Sequence, residues 1–192
     1  MQYTFQVISA LALLTILGQA IALVFLANLL WQAMRRDRST FLTRLLSRRG
    51  LLFMFVVALV ATCGSLFFSE IAGLLPCKFC WFQRIFMYPQ TLLLLIALWR
   101  KDRGIAVSIL ALSLIGMAFS VTHYSEQVQA VLHPVAIGNS LVACDPSGIS
   151  CAATQISFLF GYISIPLMAF TAFLLNALTS LSLLRRNKEN WA

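Results

Sequence analysis

Five long apolar stretches dominate this chain, and they restrict its fold more than any other feature. They cover residues 5–31, 51–72, 81–99, 104–123 and 155–184, and only the third contains a Lys or Arg residue, Arg84. A helix needs about 20 apolar residues to cross a bilayer, and a backbone in lipid must satisfy its hydrogen bonds internally. The chain is 60% hydrophobic and 10% charged, as expected for this class. The sequence therefore predicts an all-α fold, a polytopic membrane four-helix bundle with one additional N-terminal transmembrane helix.

The basic residues indicate how these spans are oriented. Twelve of the 14 Lys and Arg residues lie in 35–49, 100–103 and 185–188, which alternating spans place on one side of the membrane. Because basic loops stay in the cytoplasm, the N-terminus and the two remaining loops are expected to face outward. The net charge of +8 is then a topology signal and an attraction to anionic lipid, and it does not indicate nucleic-acid binding.

The same pattern divides the chain into four parts. Residues 1–34 are expected to form the extra N-terminal transmembrane helix, because they lack the basic start of a secretion signal. Residues 35–50 follow as a basic cytoplasmic linker, 51–184 as the four-helix unit, and 185–192 as a cytoplasmic tail. All candidate reactive residues fall within the four-helix unit.

The five cysteines separate into one inside a span and four in the outward loops. Cys63 lies in the middle of the second span and is expected to be a small buried hydrophobic residue. The other four lie close together in sequence as Cys77 with Cys80 and Cys144 with Cys151. Their predicted side of the membrane is an oxidising compartment in which disulfides persist.

Cys77 and Cys80 form a Cys-x-x-Cys pair with Arg84 one helical turn further on. Such a dithiol can carry two electrons by closing to a disulfide, and a helix N-terminus lowers the pKa of its thiolate. Arg84 shares a helix face with Cys80, so it can stabilise the thiolate or the negative charge that develops on a bound acceptor. The position at the membrane surface indicates electron exchange with a compound dissolved in lipid.

Two other uses of the four outer cysteines stay open. They could form static disulfides, although such short rings restrain an unfolded chain little. They could also bind zinc as four thiolates, although the six-residue gap between Cys144 and Cys151 is unusual for a zinc knuckle and Arg84 would have no role. A redox pair explains the spacing and the arginine together.

The run from Cys77 to Pro89 reads Cys-x-x-Cys-aromatic-aromatic-Gln-Arg-Ile-x-Met-Tyr-Pro. It resembles the bacterial disulfide bond formation protein B family, and within it the short branch of BdbC type. The resemblance covers roughly residues 50–184. It implies a thiol:quinone oxidoreductase of the bacterial cytoplasmic (inner) membrane, with its redox loops on the outer side. Such an enzyme reoxidises a DsbA-like thioredoxin-fold oxidase and passes the electrons to ubiquinone or menaquinone, without a resident metal.

The resemblance also implies roles for individual residues. Cys77 and Cys80 match the family's quinone-proximal pair, and Arg84 matches its quinone-associated arginine. Cys144 and Cys151 match the pair that exchanges with the partner oxidase. The six-residue gap of this second pair is shorter than in enterobacterial members, and the first span has no counterpart in the usual four-helix unit.

Some residues and functions keep more than one interpretation. His123 and His133 could accept quinone protons or serve as polar anchors. Four aromatic residues could wall a quinone site or form the belt expected at the membrane interface: Phe79, Trp81, Phe82 and Tyr88. The alternatives to the oxidase are a reductase resembling the vitamin K epoxide reductase class and a non-enzymatic, disulfide-stapled membrane scaffold.

Overall fold

A computed structural model describes residues 2–35, 41–132, 151, 157–158 and 162–187 of the chain. Five long helices account for nearly all of this part. They are α1 (Gln2–Arg35), α2 (Phe41–Leu66), α3 (Lys78–Arg100), α4 (Ala106–Leu132) and α5 (Ile165–Asn187). A π-helical turn (Phe67–Ile71) continues α2, and two antiparallel strands of two residues each, β1 (Ser157–Phe158) and β2 (Ile163–Ser164), precede α5.

The predicted all-α membrane fold is confirmed. Four helices are long and apolar enough to cross a membrane, namely those that contain Tyr3–Arg35, Arg48–Ile71, Ala106–Leu132 and Ile165–Arg185. The remaining predicted span, residues 81–99 in α3, is long enough but less apolar, because it carries Gln83, Arg84 and Gln90. All three polar residues turn out to have partners inside the bundle.

Helix α5 lies at the centre of the packing. It contacts α1, α2 and α4, and 61% of its most apolar window is buried, against 22% to 33% for the other three candidate spans. Gly116 of α4 permits the closest approach, because a Cβ atom at that position would collide with the ring of Phe173. Helix α3 packs between α2 and α4, beside this central helix.

The start of α3 positions the cysteine pair. Cys77 is the N-cap, with an extended backbone (φ −76°, ψ 175°), and its carbonyl accepts a hydrogen bond from the Trp81 N–H at 3.1 Å. Upstream, Gly73 takes the left-handed conformation (φ 70°) in the turn that leads out of α2. Cys77 and Cys80 therefore lie in the first turn of α3, at the positive end of its dipole.

The N-terminal helix packs on the bundle, and the predicted linker is partly helical. Ala22, Phe25 and Leu29 of α1 share a buried cluster with Leu175 and Leu178 of α5. Residues 41–50, predicted as linker, form the first turns of α2. Residues 36–40 and 188–192 lie outside the described residues.

Candidate active site

Two sulfur atoms meet at the N-terminus of α3. The Cys77 thiol donates a hydrogen bond to the Cys80 sulfur, with 3.3 Å between the Sγ atoms. Cys77 is 6% exposed, and Cys80 is partly exposed. Both precede the apolar run that begins at Trp81, as the sequence predicts. Two thiols this close together can close to a disulfide.

The two thiols are electrostatically unequal. The hydrogen bond that Cys77 donates to Cys80, together with burial, raises the pKa of Cys77 to about 12. The same hydrogen bond lowers the pKa of Cys80; burial opposes this shift, and the Cys77 backbone and the charge of Arg84 support it. Of the two thiols, Cys80 is therefore the one that loses its proton first.

Arg84 is held in place by α2. Its Nε donates to the Ser65 hydroxyl at 3.0 Å and its Nη2 to the Ser65 carbonyl at 3.1 Å. Its guanidinium lies over the Trp81 ring, 5.3 Å from the centroid. Tyr88 reaches the same Ser65 hydroxyl at 3.3 Å. These contacts fix a planar cation one turn below Cys80, where it can polarise a bound carbonyl group.

His123 is the site residue whose role the sequence left undecided. It is 2% exposed on α4, with Nε2 at 3.6 Å from the Cys77 sulfur and Nδ1 at 3.2 Å from the Gln83 side-chain nitrogen. Because the Gln83 amide donates to Nδ1, the proton of a neutral His123 lies on Nε2 and points to Cys77. Phe79 stacks on the ring at a centroid distance of 5.6 Å. No sequence spacing links residue 123 to residue 77, so only the fold reveals this contact.

One cysteine of the second predicted pair joins the same place. Cys151 is 4% exposed and packs in a buried cluster with Cys77 and Phe79, against which Cys80 and Phe119 also pack. Its charge acts on Cys80, where it raises the pKa.

Cys144 and His133 lie outside the described residues. We call Cys77, Cys80, Arg84, His123 and Cys151 the cysteine cluster.

The cysteine cluster opens into a large apolar cavity of about 350 Å³ between α1, α2 and α5. One end is lined by the polar or thiol side chains of Cys77, Cys80, Ser65, Gln83, Arg84, His123 and Gln127, and the rest is apolar apart from Thr15 and Thr171. Its volume lies in the range of small-molecule sites, about 300–1,000 Å³. The cavity can therefore hold a mostly apolar ligand with a polar group directed at the thiols.

Three groups at the site also have the chemistry of metal ligands. The ligand atoms of Cys77, Cys80 and His123 lie within 4.8 Å of one another. A structural zinc site needs a fourth ligand to complete its tetrahedron. Arg84 acts on this site as a cation and favours the thiolate of Cys80, whereas a bound Zn²⁺ would repel it. The electrostatics therefore fit thiolate chemistry better than a resident metal ion.

The aromatic residues weighed from the sequence do not line the cavity. Phe79 is buried against His123. Trp81 and Phe82 are exposed, and Phe82 stacks on Phe119 at 4.8 Å. Tyr88 belongs to the Ser65 contacts below the cysteines. Within the described part of the chain, the walls of the cavity are mainly aliphatic.

Cys63 corrects one expectation. It was predicted to be buried, but it is exposed on α2. The prediction was wrong because a span in lipid has no need to bury a small apolar side chain, which is as well solvated by hydrocarbon as by protein. Cys63 is also absent from the residues that line the cavity. It stands apart from the cysteine cluster.

Comparison with known proteins identifies a family for most of the chain. The profile of the family described as "Disulfide bond formation protein DsbB" matches residues 47–183. "Disulfide bond formation protein C" of Bacillus subtilis is 42% identical over 120 residues, 62% of this chain and 81% of the relative. "Probable disulfide formation protein C" of Halalkalibacterium halodurans is 42% identical over 130 residues, 68% and 89%. A "Probable disulfide formation protein" of Metapseudomonas resinovorans is 35% identical over 136 residues, 71% and 90%. No solved structure gives a significant match.

Proposed function

Because this chain belongs to the DsbB family of disulfide bond formation proteins, whose members are membrane disulfide oxidoreductases, we propose that it is a thiol:quinone oxidoreductase. It takes two electrons from a thioredoxin-like partner dithiol and delivers them to a membrane quinone. The observation that carries the proposal is that Cys77, Cys80 and Cys151 pack together while Cys77 and Cys80 line one end of an apolar cavity.

The partner-facing pair is Cys144 with Cys151. A thiolate of the reduced partner attacks the Cys144 sulfur of their disulfide, forms a mixed disulfide with Cys144 and releases Cys151 as a thiolate. The second partner thiol then attacks the mixed disulfide, and the partner leaves oxidised. This step transfers one pair of electrons into the 144–151 pair.

The second step moves the electron pair to α3. The Cys151 thiolate attacks the Cys77–Cys80 disulfide at Cys77, and Cys80 leaves as a thiolate. Closure of Cys144 onto Cys151 then releases Cys77 as a thiol. Cys151 supports this route because it packs in the same buried cluster as Cys77. The lowered pKa of Cys80 also supports it, because a better leaving thiolate leaves faster.

The cavity fits a quinone by its chemistry. A quinone bound there accepts two electrons and two protons and departs as a quinol. Arg84 would hold the head group, since its guanidinium is fixed by Ser65 and can polarise a carbonyl oxygen. Cys80 supplies the thiolate. Cys77 must lose its proton when the disulfide closes, and a hydrogen bond from His123 Nε2 to its sulfur would stabilise the resulting thiolate.

The orientation proposed from the sequence has support from the helix ends. Arg35, Arg49, Arg100 and Arg185 lie at the ends of α1, α3 and α5 and the start of α2. If the five helices alternate in direction across the membrane, these ends lie opposite the cysteine cluster. We therefore propose that the cluster faces the outside of the bacterial cytoplasmic membrane, where the partner oxidase is found, and that the Arg-rich side is cytoplasmic.

The test is electron transfer with purified protein. Detergent-solubilised protein is mixed with a reduced thioredoxin-like donor and a quinone, and quinol is followed by absorbance while donor disulfide is counted by thiol alkylation. We expect one quinol for each donor disulfide. Donor oxidation without quinol, or net flow from quinol to donor disulfide under these conditions, would contradict the proposed direction and identify a reductase or a passive scaffold.

A further inference from the structure

Helix α1 lies before the segment that the family profile matches, yet it takes part in the cavity of the candidate site. Six residues of α1 line that cavity: Leu11, Leu14, Thr15, Leu17, Gly18 and Ile21. The opposite wall is the lower part of α2, with Val56, Val57, Val60 and Ala61. The floor comes from α5, including Met168 and Ala172. The added helix therefore forms one complete side of the cavity.

The position of α1 is fixed by contacts that leave the cavity between them. Gly18 lies so close to α5 that an added Cβ would stand 3.0 Å from Thr171. Leu11 meets Gly64 near the C-terminal end of α2, and the Phe25 ring meets Phe53 near the middle of α2, at a centroid distance of 5.8 Å. Between these two contacts α1 and α2 are separated, and the cavity occupies the gap.

The cavity changes character along its length. The end beside α3 and α4 carries Arg84, Gln83, His123 and Gln127. The stretch between α1 and α2 offers apolar side chains, including Phe53, with Thr15 as a minor exception. The Thr15 hydroxyl is already used, because it donates to the Leu11 carbonyl at 2.8 Å. A ligand that matches both ends has a polar, carbonyl-bearing head and a hydrocarbon tail.

We infer that α1 forms the wall of a tail channel, in which the first isoprene units of the quinone lie between α1 and α2 while the head group meets Arg84. This inference rests on the proposed quinone reduction and extends it to a part of the chain outside the matched family segment. Without α1, the faces of α2 and α5 that line the channel would be open to lipid. With α1 in place, the tail must enter between two helices.

The expected effect is moderate for a physical reason. A quinone tail leaves hydrocarbon when it enters the channel, so burial gives no gain from the hydrophobic effect, and only packing against the walls contributes. The channel should therefore lower the KM of a long-tailed quinone several-fold relative to a quinone without a tail. It should leave thiol exchange with the partner unchanged.

The test fills the channel from either wall and uses matched neighbours as controls. Leu17→Trp and Val60→Trp place an indole in the channel from α1 and α2. Ile16→Trp and Leu59→Trp add the same group at neighbouring positions that do not line the cavity. For each variant, KM is measured with a tail-less quinone and with a quinone of several isoprene units, and bound quinone is measured in purified protein by native mass spectrometry. Comparison with the control variants cancels the different partitioning of the two quinones into detergent.

In both channel variants we expect the preference for the long-tailed quinone to fall roughly threefold to tenfold. This is less than the discrimination that a single methylene group gives in the hydrophobic pocket of an enzyme that takes its substrate from water. They should also lose copurified quinone, and both control variants should keep it. Equal KM values for both quinones in the unsubstituted protein would overturn the tail channel and leave quinone reduction intact. Loss of copurified phospholipid instead of quinone would identify an acyl-chain site and overturn the inference as well. Absence of any quinone reduction in the unsubstituted protein would be a failure of the proposed function itself.

Discussion

Helix α3 contributes to two clusters of polar residues that differ in chemistry and in surroundings. The upper one is the cysteine cluster at its N-terminus. The lower one, which we call the amide cluster, joins Gln90 to Ser113 of α4 and Asn176 of α5: both donate to the Gln90 Oε1, at 3.3 Å and 3.0 Å. The Gln90 nitrogen donates to the Phe86 carbonyl at 3.0 Å. Both clusters join neighbouring helices, but only the upper one lines the cavity.

The difference shows that polar residues in a membrane bundle serve two purposes. The amide cluster contains only neutral groups, and within it the Asn176 Oδ1 is the single atom that has no partner among the described residues. It holds α3, α4 and α5 in register, close to Pro89, which removes one backbone hydrogen bond from α3. The cysteine cluster combines thiols, a histidine and an arginine beside a cavity, so its polar groups remain available for chemistry.

The largest expected effect separates the cysteine cluster from a cysteine outside it. Cys80→Ser should reduce donor-dependent quinol formation to background, because the thiolate that donates electrons is lost. Cys63→Ala, which removes an exposed cysteine on α2, should keep nearly the full rate. The rates are compared at equal protein concentration after gel filtration. Equal losses in the two variants would remove the distinction between the cysteines.

Arg84→Ala should have the second-largest effect on activity. The loss of a charge-assisted hydrogen bond costs about 1.5–3 kcal/mol, which corresponds to roughly a 10- to 100-fold rise in the KM for quinone. Arg84→Lys should restore only part of this, because a point charge lacks the planar fork. Exchange with the partner, measured without quinone, should change little. A full quinone titration that is indistinguishable from that of the unsubstituted protein would make Arg84 an interfacial anchor.

The inequality of the two thiols can be tested by pH. Alkylation follows the thiolate, so in reduced protein with Cys63→Ala, Cys80 should react with a midpoint below the ordinary value of 9.0. Cys77 should stay unreactive until the pH approaches its pKa of about 12. Replacement of Cys77 by Ala removes the largest cause of the lowered pKa and leaves burial, so the Cys80 midpoint should move up. A midpoint that stays constant or falls would assign the shift to another group.

The smallest effect on activity is expected in the amide cluster. Gln90→Leu leaves buried donors on Ser113 and Asn176 unsatisfied, at a cost of about 1–3 kcal/mol in stability. The thermal unfolding midpoint in detergent should fall, while the KM for quinone should stay the same. Leu92→Ala, at an exposed position of α3, serves as the control for stability. A rise in the KM for quinone without a loss of stability would show that the amide cluster belongs to the quinone site and would contradict the separation of the two clusters.

The sequence was sufficient for those features that depend on local pattern. Apolar length predicted the all-α membrane fold, and the Cys-x-x-Cys run with Arg84 predicted where α3 would carry its thiols. Contacts between distant segments could not be read in this way. The approach of His123 to Cys77 depends on how α4 packs beside α3, and Ser65 meets Arg84 only because α2 and α3 are neighbours.

Cys63 and α1 show a second limit. Burial in a soluble protein follows from hydrophobicity, but in a bilayer both faces of an apolar helix are acceptable, so the sequence does not tell which side of α2 meets protein. For the same reason the apolar pattern of α1 predicted a membrane helix without predicting its neighbours. Its contact with α5 through Gly18 and its share in the cavity became visible only in the folded chain.

The relay between two cysteine pairs is the central claim, and one trapping experiment tests it most directly. Protein with Cys151→Ser is mildly oxidised together with a thioredoxin-like donor that keeps only its attacking cysteine, and disulfide-linked peptides are identified by mass spectrometry. The account predicts that this donor accumulates as a mixed disulfide on Cys144, because it has no second thiol to release itself, and that quinol formation with the intact donor stops, because the thiolate that passes electrons to Cys77 is missing. A donor trapped on Cys77 or Cys80, with quinol formation continuing, would contradict the relay.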